Sequence, residues 1–190
     1  MATTRERIIQ ASSALFMDRG YTASGLKQIS ELSRAPIGSL YHFFPGGKEE
    51  LAAETLRSSG AAYQMLVEGV LDGAPDIATG VRSCFEGAAE VLRATDYADA
   101  CPIATVALEV ASSDERLRQV TAEIFDAWLD SVAARLERAG ITALRARELA
   151  RVLVAALEGG FLLSRAAKDT AAMEAVGNAM VELVRAAIRH

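Results

Sequence analysis

The sequence predicts an all-α protein: an N-terminal three-helix head built on a helix-turn-helix, followed by a larger helical domain. Three observations carry that class. The chain is 51% hydrophobic but only 6% aromatic, an alanine- and leucine-rich composition that favours helices over sheets. Its apolar residues recur at spacings of three and four, and no segment reads as a convincing strand. Its four prolines all fall at plausible helix boundaries. A length of 190 residues leaves room for a small head and one larger core.

The first helix runs from about Thr4 to Arg19, with Ile8, Ala11, Leu15 and Phe16 as its buried stripe and Gly20 as its C-cap. Tyr21 fills the gap to the next unit. That unit, Leu26 to Lys48, reads LKQISELSRAPIGSLYHFFPGGK, two short helices hinged at Arg34-Ala35-Pro36 in the manner of a helix-turn-helix. Leu26, Ile29, Leu32 and Ser33 form a narrow stripe on the first, with Lys27, Gln28 and Glu31 outward. Ser24 is placed to cap it and to leave a phosphate-sized opening at its start. Pro36 suits the first turn of the second helix and biases Ala35 out of helical geometry, so a break is forced. In that second helix, ending near Phe43, Leu40 and Phe44 point to the core while Tyr41 and His42 face out. Gly38 and Ser39 are small enough for close approach to a groove wall.

The next helix spans Lys48 to about Leu71, with Glu49 and Glu50 in its first turn and Leu51, Leu56, Tyr63, Leu66 and Val67 as its stripe. Asp72-Gly73-Ala74-Pro75 breaks it, and Asp76 caps a helix from Ile77 to about Thr95. A loop at 96–100 leads to Cys101-Pro102-Ile103, which opens a buried helix to about Ala111. Asp114 starts a helix to about Ala139, along which Leu117, Val120, Ile124, Trp128, Val132 and Leu136 step by three or four. Gly140 stops it. Thr142 caps the next, Ala143 to Lys168, and the last runs from Thr170 to Arg189.

The net charge of −5 hides an asymmetry: residues 1–48 hold six basic against three acidic groups, net +3, and residues 49–190 carry −8. A basic head and an acidic body turn the head toward DNA. No stretch of ~18 apolar residues lacks a charge, and the start has no long apolar segment, so a cytoplasmic protein without membrane contact is expected. Cys84 and Cys101 lack metal spacing and are expected to be reduced. His42 and His190 are too few and too far apart for a zinc site or a triad. The pairs Glu86/Glu90 and Asp126/Asp130 read as solvated faces. No catalytic residue, metal or cofactor is expected, and the protein is not read as an enzyme.

The run GSLYHFFPGGKEEL, preceded by RERIIQASSALFMDRGYTASGLKQIS, resembles the DNA-binding domain of the TetR family of bacterial repressors. CPIATVALE, with the extra glycine in FFPGGKEEL, resembles its LmrA/YxaF-like branch. The resemblance implies a DNA-binding domain at 1–47 and an effector-binding and dimerisation domain at 48–190. DNA contacts are then expected from Ser24, Lys27, Arg34, Pro36, Ile37, Gly38, Ser39, Tyr41, His42 and Lys48. Tyr41, His42 and Lys48, at the exposed end, would hold phosphates, while Ile37, Gly38 and Ser39 approach bases. Two departures stand out, because the family usually has glycine at Arg34 and often lysine at Ile37. Arg34 restores a positive charge; Ile37 either meets a thymine methyl or weakens phosphate binding.

The family dimerises through its last two helices, and their apolar faces here offer Leu149, Val152, Ala156, Gly160, Leu163, Met173, Val176, Met180 and Val184. An ordinary core with small residues at crossings is the other reading. Tyr63, Phe85, Ile103, Phe125, Trp128 and Phe161, with Cys101 and Thr105 as polar groups, would line a cavity for a mainly apolar or aromatic small-molecule effector. Taken singly, each also reads as a core residue. The expected function is a repressor that binds a palindromic double-stranded operator as a homodimer and is released by its effector. The alternatives are a ligand-independent DNA-binding dimerisation scaffold and a helical small-molecule carrier.

Overall fold

The computed structural model describes residues 2–98 and 100–188. These form helices α1 (Thr4–Arg19), α2 (Leu26–Ser33), α3 (Ile37–Phe43), α4 (Gly47–Gly73), α5 (Ile77–Ala94), α6 (Pro102–Val110), α7 (Glu115–Arg138), α8 (Ala143–Ala167) and α9 (Ala171–Ile188). The expected all-α class holds, with most boundaries within a residue or two. Arg189 and His190 lie outside the described residues. Two compact units divide the chain, residues 1–62 with 100–124, and residues 63–99 with 125–190. By packing, α6 and the start of α7 go with the three N-terminal helices.

In the first unit α1 opens with a reciprocal cap: the Thr3 hydroxyl accepts from Glu6 N–H at 3.2 Å, and Glu6 Oε2 accepts from Thr3 N–H at 2.7 Å. Ile8, Leu15, Ile29, Ala35, Leu40, Phe44 and Leu51 form one buried cluster there. Burying each large side chain is worth roughly 1.5–3 kcal/mol, enough to fix helices of eight and seven residues that are too short to persist alone. Two expectations fail at this level. Ser24 does not cap α2: it is fully buried and donates to the Gly20 carbonyl at 2.6 Å, and the cap position falls to Gly25. Gln28 Oε1 instead accepts from Gly25 N–H at 2.9 Å. Leu32 is 55% exposed, because it stands about 60° round the helix from Ile29 and leaves the buried stripe.

The second unit is centred on Phe85, Leu92, Leu136, Leu149, Leu153, Met173, Val181 and Val184. Asp76 caps α5 as expected, its Oδ1 accepting from Thr79 N–H at 2.9 Å. Thr142 stands at the α8 cap but its side chain makes no capping bond. Leu66 is exposed, not part of the α4 stripe, since it lies about 100° round from Val67. A polar cluster joins α4 to α7. Arg135 pairs with Asp72 at 2.6 Å and Glu68 at 3.4 Å, Arg138 reaches Asp72 at 2.9 Å, and Ser131 donates to Glu68 at 2.6 Å.

Candidate nucleic-acid interface

Local hydrogen bonds close the turn between α2 and α3. Arg34 N–H donates to the Glu31 carbonyl at 3.2 Å, Ala35 N–H to Ser30 O at 3.1 Å, and Ser30 Oγ to Ala35 O at 2.6 Å. Arg7 Nε, from α1, donates to the Ser33 carbonyl at 3.2 Å. Arg34 itself sits at φ 52°, ψ 36°, the left-handed region that costs a side-chain-bearing residue about 1–2 kcal/mol. Pro36 then takes the cap position of α3, and its carbonyl accepts from Ser39 N–H at 2.8 Å.

Leu40 and Phe44 anchor α3 to the core, so the other side of that helix faces solvent. It carries two adjacent rows at the four-residue helical spacing, Ile37 with Tyr41 and Gly38 with His42. Ile37 is 46% and Tyr41 55% exposed, and Leu32 stands exposed on α2. A β-carbon added at Gly38 would meet no atom within 4 Å, so nothing in the chain requires glycine there. Ser39 is half-buried.

The charges are distributed unevenly. Arg5 pairs with Glu54 at 2.5 Å and Arg19 with Asp18 at 2.7 Å. Lys48 is half-buried, contrary to its expected exposure: Nζ donates to the Thr22 carbonyl at 3.3 Å and lies 4.3 Å over the Tyr21 ring. Burial lowers its pKa, and the nearby Glu109 carboxylate opposes that shift. Lys27 and Arg34 project outward, and neither has an ion-pair partner among the described residues. A helix held by its apolar side, with small and aromatic groups displayed outward, has the form of a major-groove reader.

Comparison with known proteins decides the family. Residues 8–55 match the description "Bacterial regulatory proteins, tetR family", and residues 77–179 match "Transcriptional regulator LmrA/YxaF-like, C-terminal domain". The chain is 34% identical over 182 residues to the HTH-type regulator YxaF of Bacillus subtilis, covering 96% of this chain and 95% of that one. The chain belongs to the TetR family. It is also 31% identical over 182 residues to LmrA of the same organism, covering 96% and 97%. In structure it is similar to a cysteine mutant of the TetR-family regulator CifR complexed with 26 base pairs of operator DNA. That likeness has a TM-score of 0.81 at 22% identity, over 96% and 97% of the chains. The protein is a DNA-binding TetR-family regulator.

The residues expected around an effector fall in both compact units of this TetR-family chain. Tyr63, Phe125 and Trp128 come together, with Trp128 5.5 Å from Phe125 and 6.4 Å from Tyr63 between ring centroids. Phe85 is a core residue, packed so tightly that a β-carbon at Gly177 would lie 2.8 Å from its own. Phe161 packs partly buried against the same core. In the other unit Ile103 is fully buried, Cys101 Sγ accepts from Ala104 N–H at 3.5 Å, and Thr105 Oγ1 donates to the Cys101 carbonyl at 2.9 Å. Burial pushes the Cys84 thiol up to about 11. Between α5 and α9 lies an open groove of about 380 Å³ lined by Arg82, Phe85, Glu90, Arg93, Glu174 and Asn178. Arg93 bridges it to Glu174 at 2.5 Å, so its chemistry is polar and not that expected for the effector.

The residues expected at a dimer interface differ in burial. Leu149, Gly160, Met173, Met180 and Val184 are buried inside the single chain, and a β-carbon at Gly160 would come 2.9 Å from Met173 Sδ. They hold α8 to α9. Ala156 and Val176 are half-buried, whereas Val152 and Leu163 are exposed. The outward apolar stripe of α8 runs through Val152, Ala155, Gly159 and Leu162, and that of α9 through Ala175, Ala179 and Leu183. Leu162 is 64% and Leu163 57% exposed.

Proposed function

We propose that the protein is a homodimeric, one-component transcriptional repressor of the LmrA/YxaF-like branch that binds a palindromic operator and is released by a small, mainly apolar or aromatic effector. The observation that carries the DNA half is the exposed Ile37, Gly38, Tyr41 and His42 face of α3, whose opposite side is locked by Leu40 and Phe44. The operator DNA held by CifR supports it. Residues 1–47 read DNA; Lys27 and Arg34 hold phosphates, Ile37 and Gly38 approach bases, and Ser24 acts only inside the head. Residues 48–190 supply the dimer and the effector site, and the protein works in the cytoplasm. None of the described helices is long and apolar enough to cross a membrane.

The dimer reading rests on the exposed stripes of α8 and α9, where Ala155, Gly159, Ala175 and Ala179 let helices approach closely. The effector reading rests on the Tyr63, Phe125 and Trp128 rings. An inducer must bind the released form better than the DNA-bound form, by about 1–3 kcal/mol for a typical coupling. The test selects duplexes from a random pool, measures mass by sedimentation, and screens compounds by Trp128 fluorescence with and without saturating duplex. A palindrome, a dimer, and a ligand weakened by DNA support the proposal. Ligands that bind equally well in both conditions favour a ligand-independent scaffold.

A further inference from the structure

The loop between α1 and α2 is gripped by a residue from far along the chain. Glu109, near the end of α6, turns its carboxylate onto the two residues after Gly20. Oε1 accepts from Tyr21 N–H at 3.0 Å and Oε2 from Thr22 N–H at 2.7 Å. The fit leaves no spare room: a β-carbon at Gly20, itself at φ +80°, would lie 1.8 Å from Glu109 Oε1. The same loop receives Lys48 on its Thr22 carbonyl and Tyr21 ring. Ser24 closes it onto the Gly20 carbonyl. Gly25 and the start of α2 follow at once, and α2 is only eight residues long, so the loop sets its direction of entry.

We infer that Glu109 is a positioning residue for DNA binding. It touches no nucleic acid; it holds the α1–α2 loop, and through the loop it places Lys48 and the first turn of α2. This rests on the reading of α2 and α3 as the DNA-binding unit. The sign of the effect separates positioning from simple charge. A carboxylate beside Lys48 repels phosphates, so a Glu109 acting only through its charge makes DNA bind more tightly once removed. Positioning demands the reverse. Glutamine keeps the size of the side chain but offers one acceptor oxygen, and its NH₂ opposes the second backbone donor.

The experiment uses the full-length protein and a duplex recovered from a random pool by the wild type. Binding is followed by fluorescence anisotropy over a range of salt, and the Tyr21 and Thr22 amides by hydrogen exchange. Glu109→Gln is expected to bind at least tenfold more weakly at an unchanged salt slope. Its Tyr21 and Thr22 amides lose protection while Ile29 and Leu40 keep theirs. Glu109→Asp, whose shorter carboxylate reaches one amide, falls between. Equal or tighter binding by Glu109→Gln overturns the inference, and so does weaker binding with both amides still protected. A wild type that recovers no duplex overturns the DNA reading itself, an outcome visible before any variant is made.

Discussion

Gly38 offers the sharpest test of how α3 is used. Inside the chain an alanine there meets nothing, since no atom lies within 4 Å of its β-carbon and the backbone is ordinary helix. Glycine in a helix costs about 0.5–1 kcal/mol relative to alanine, so Gly38→Ala is expected to stabilise the protein. For a chain of this size that raises the melting temperature by about 1–4 °C. If the α3 backbone closes on the groove wall, the added methyl group pushes α3 outward and disturbs the neighbouring base contacts. Each such contact is worth about 1–3 kcal/mol, so duplex affinity falls roughly five- to 150-fold. Thermal melting and anisotropy on the same preparation give both numbers. A more stable variant with unchanged affinity would show that DNA never approaches residue 38, and a destabilised one would refute the open surroundings on which the reasoning stands.

Other expectations follow from the same structure. Arg34→Gly relieves the left-handed strain at φ 52° and is expected to stabilise by about 0.5–1 kcal/mol by denaturant unfolding. It also removes one phosphate contact, lowering the salt slope of DNA binding by about one; an unchanged slope would clear Arg34 of that role. Leu162→Glu or Ala179→Glu buries an unpaired charge if the outward stripes pair, so sedimentation should show monomer with weakened DNA binding. Two unchanged dimers would move the interface elsewhere. Hydrogen bonds from Ser131 and Gln64 hold the Glu68 carboxyl below its usual range, and Arg135 and Arg138 do the same for Asp72. Depressed folded-state values stabilise above the unfolded carboxylate range near pH 4, and that contribution is lost as pH falls through them. Arg135→Gln should therefore melt lower at pH 7 and approach the wild type below about pH 4; a difference that persists unchanged in acid would point to packing instead.

Much of this was legible in the residues, and the gaps have physical causes. Caps and breakers such as Gly20, Pro36, Asp76 and Gly140 set helix ends locally, so their positions could be read from short stretches. Ser24 and Gly25 differ by one residue, and only the turn geometry decides which of them caps α2 and which is buried. Leu32 counts as apolar in any pattern; its exposure is a matter of 60° or so around a short helix. On α8 and α9 two apolar faces share each helix, and periodicity cannot say which one meets this chain and which meets a partner. Gly160 and Met173, apolar and small-residue positions like those of the outward stripes, are buried inside the chain. Glu109 had one signal, as the only charge in the apolar run from Pro102 to Val110, but its partners lie 87 and 88 residues away.

The face proposed to meet DNA is poor in charge and rich in carbon. Leu32, Ile37 and Tyr41 are exposed where many nucleic-acid-binding proteins carry lysine and arginine, and most of the head's cations are already engaged. Thermodynamically this shifts recognition from counterion release toward dehydration of apolar surface. The binding enthalpy should then fall steeply with rising temperature, the mark of a large negative heat-capacity change. Occupancy of duplex DNA would then depend on temperature as well as on ionic strength.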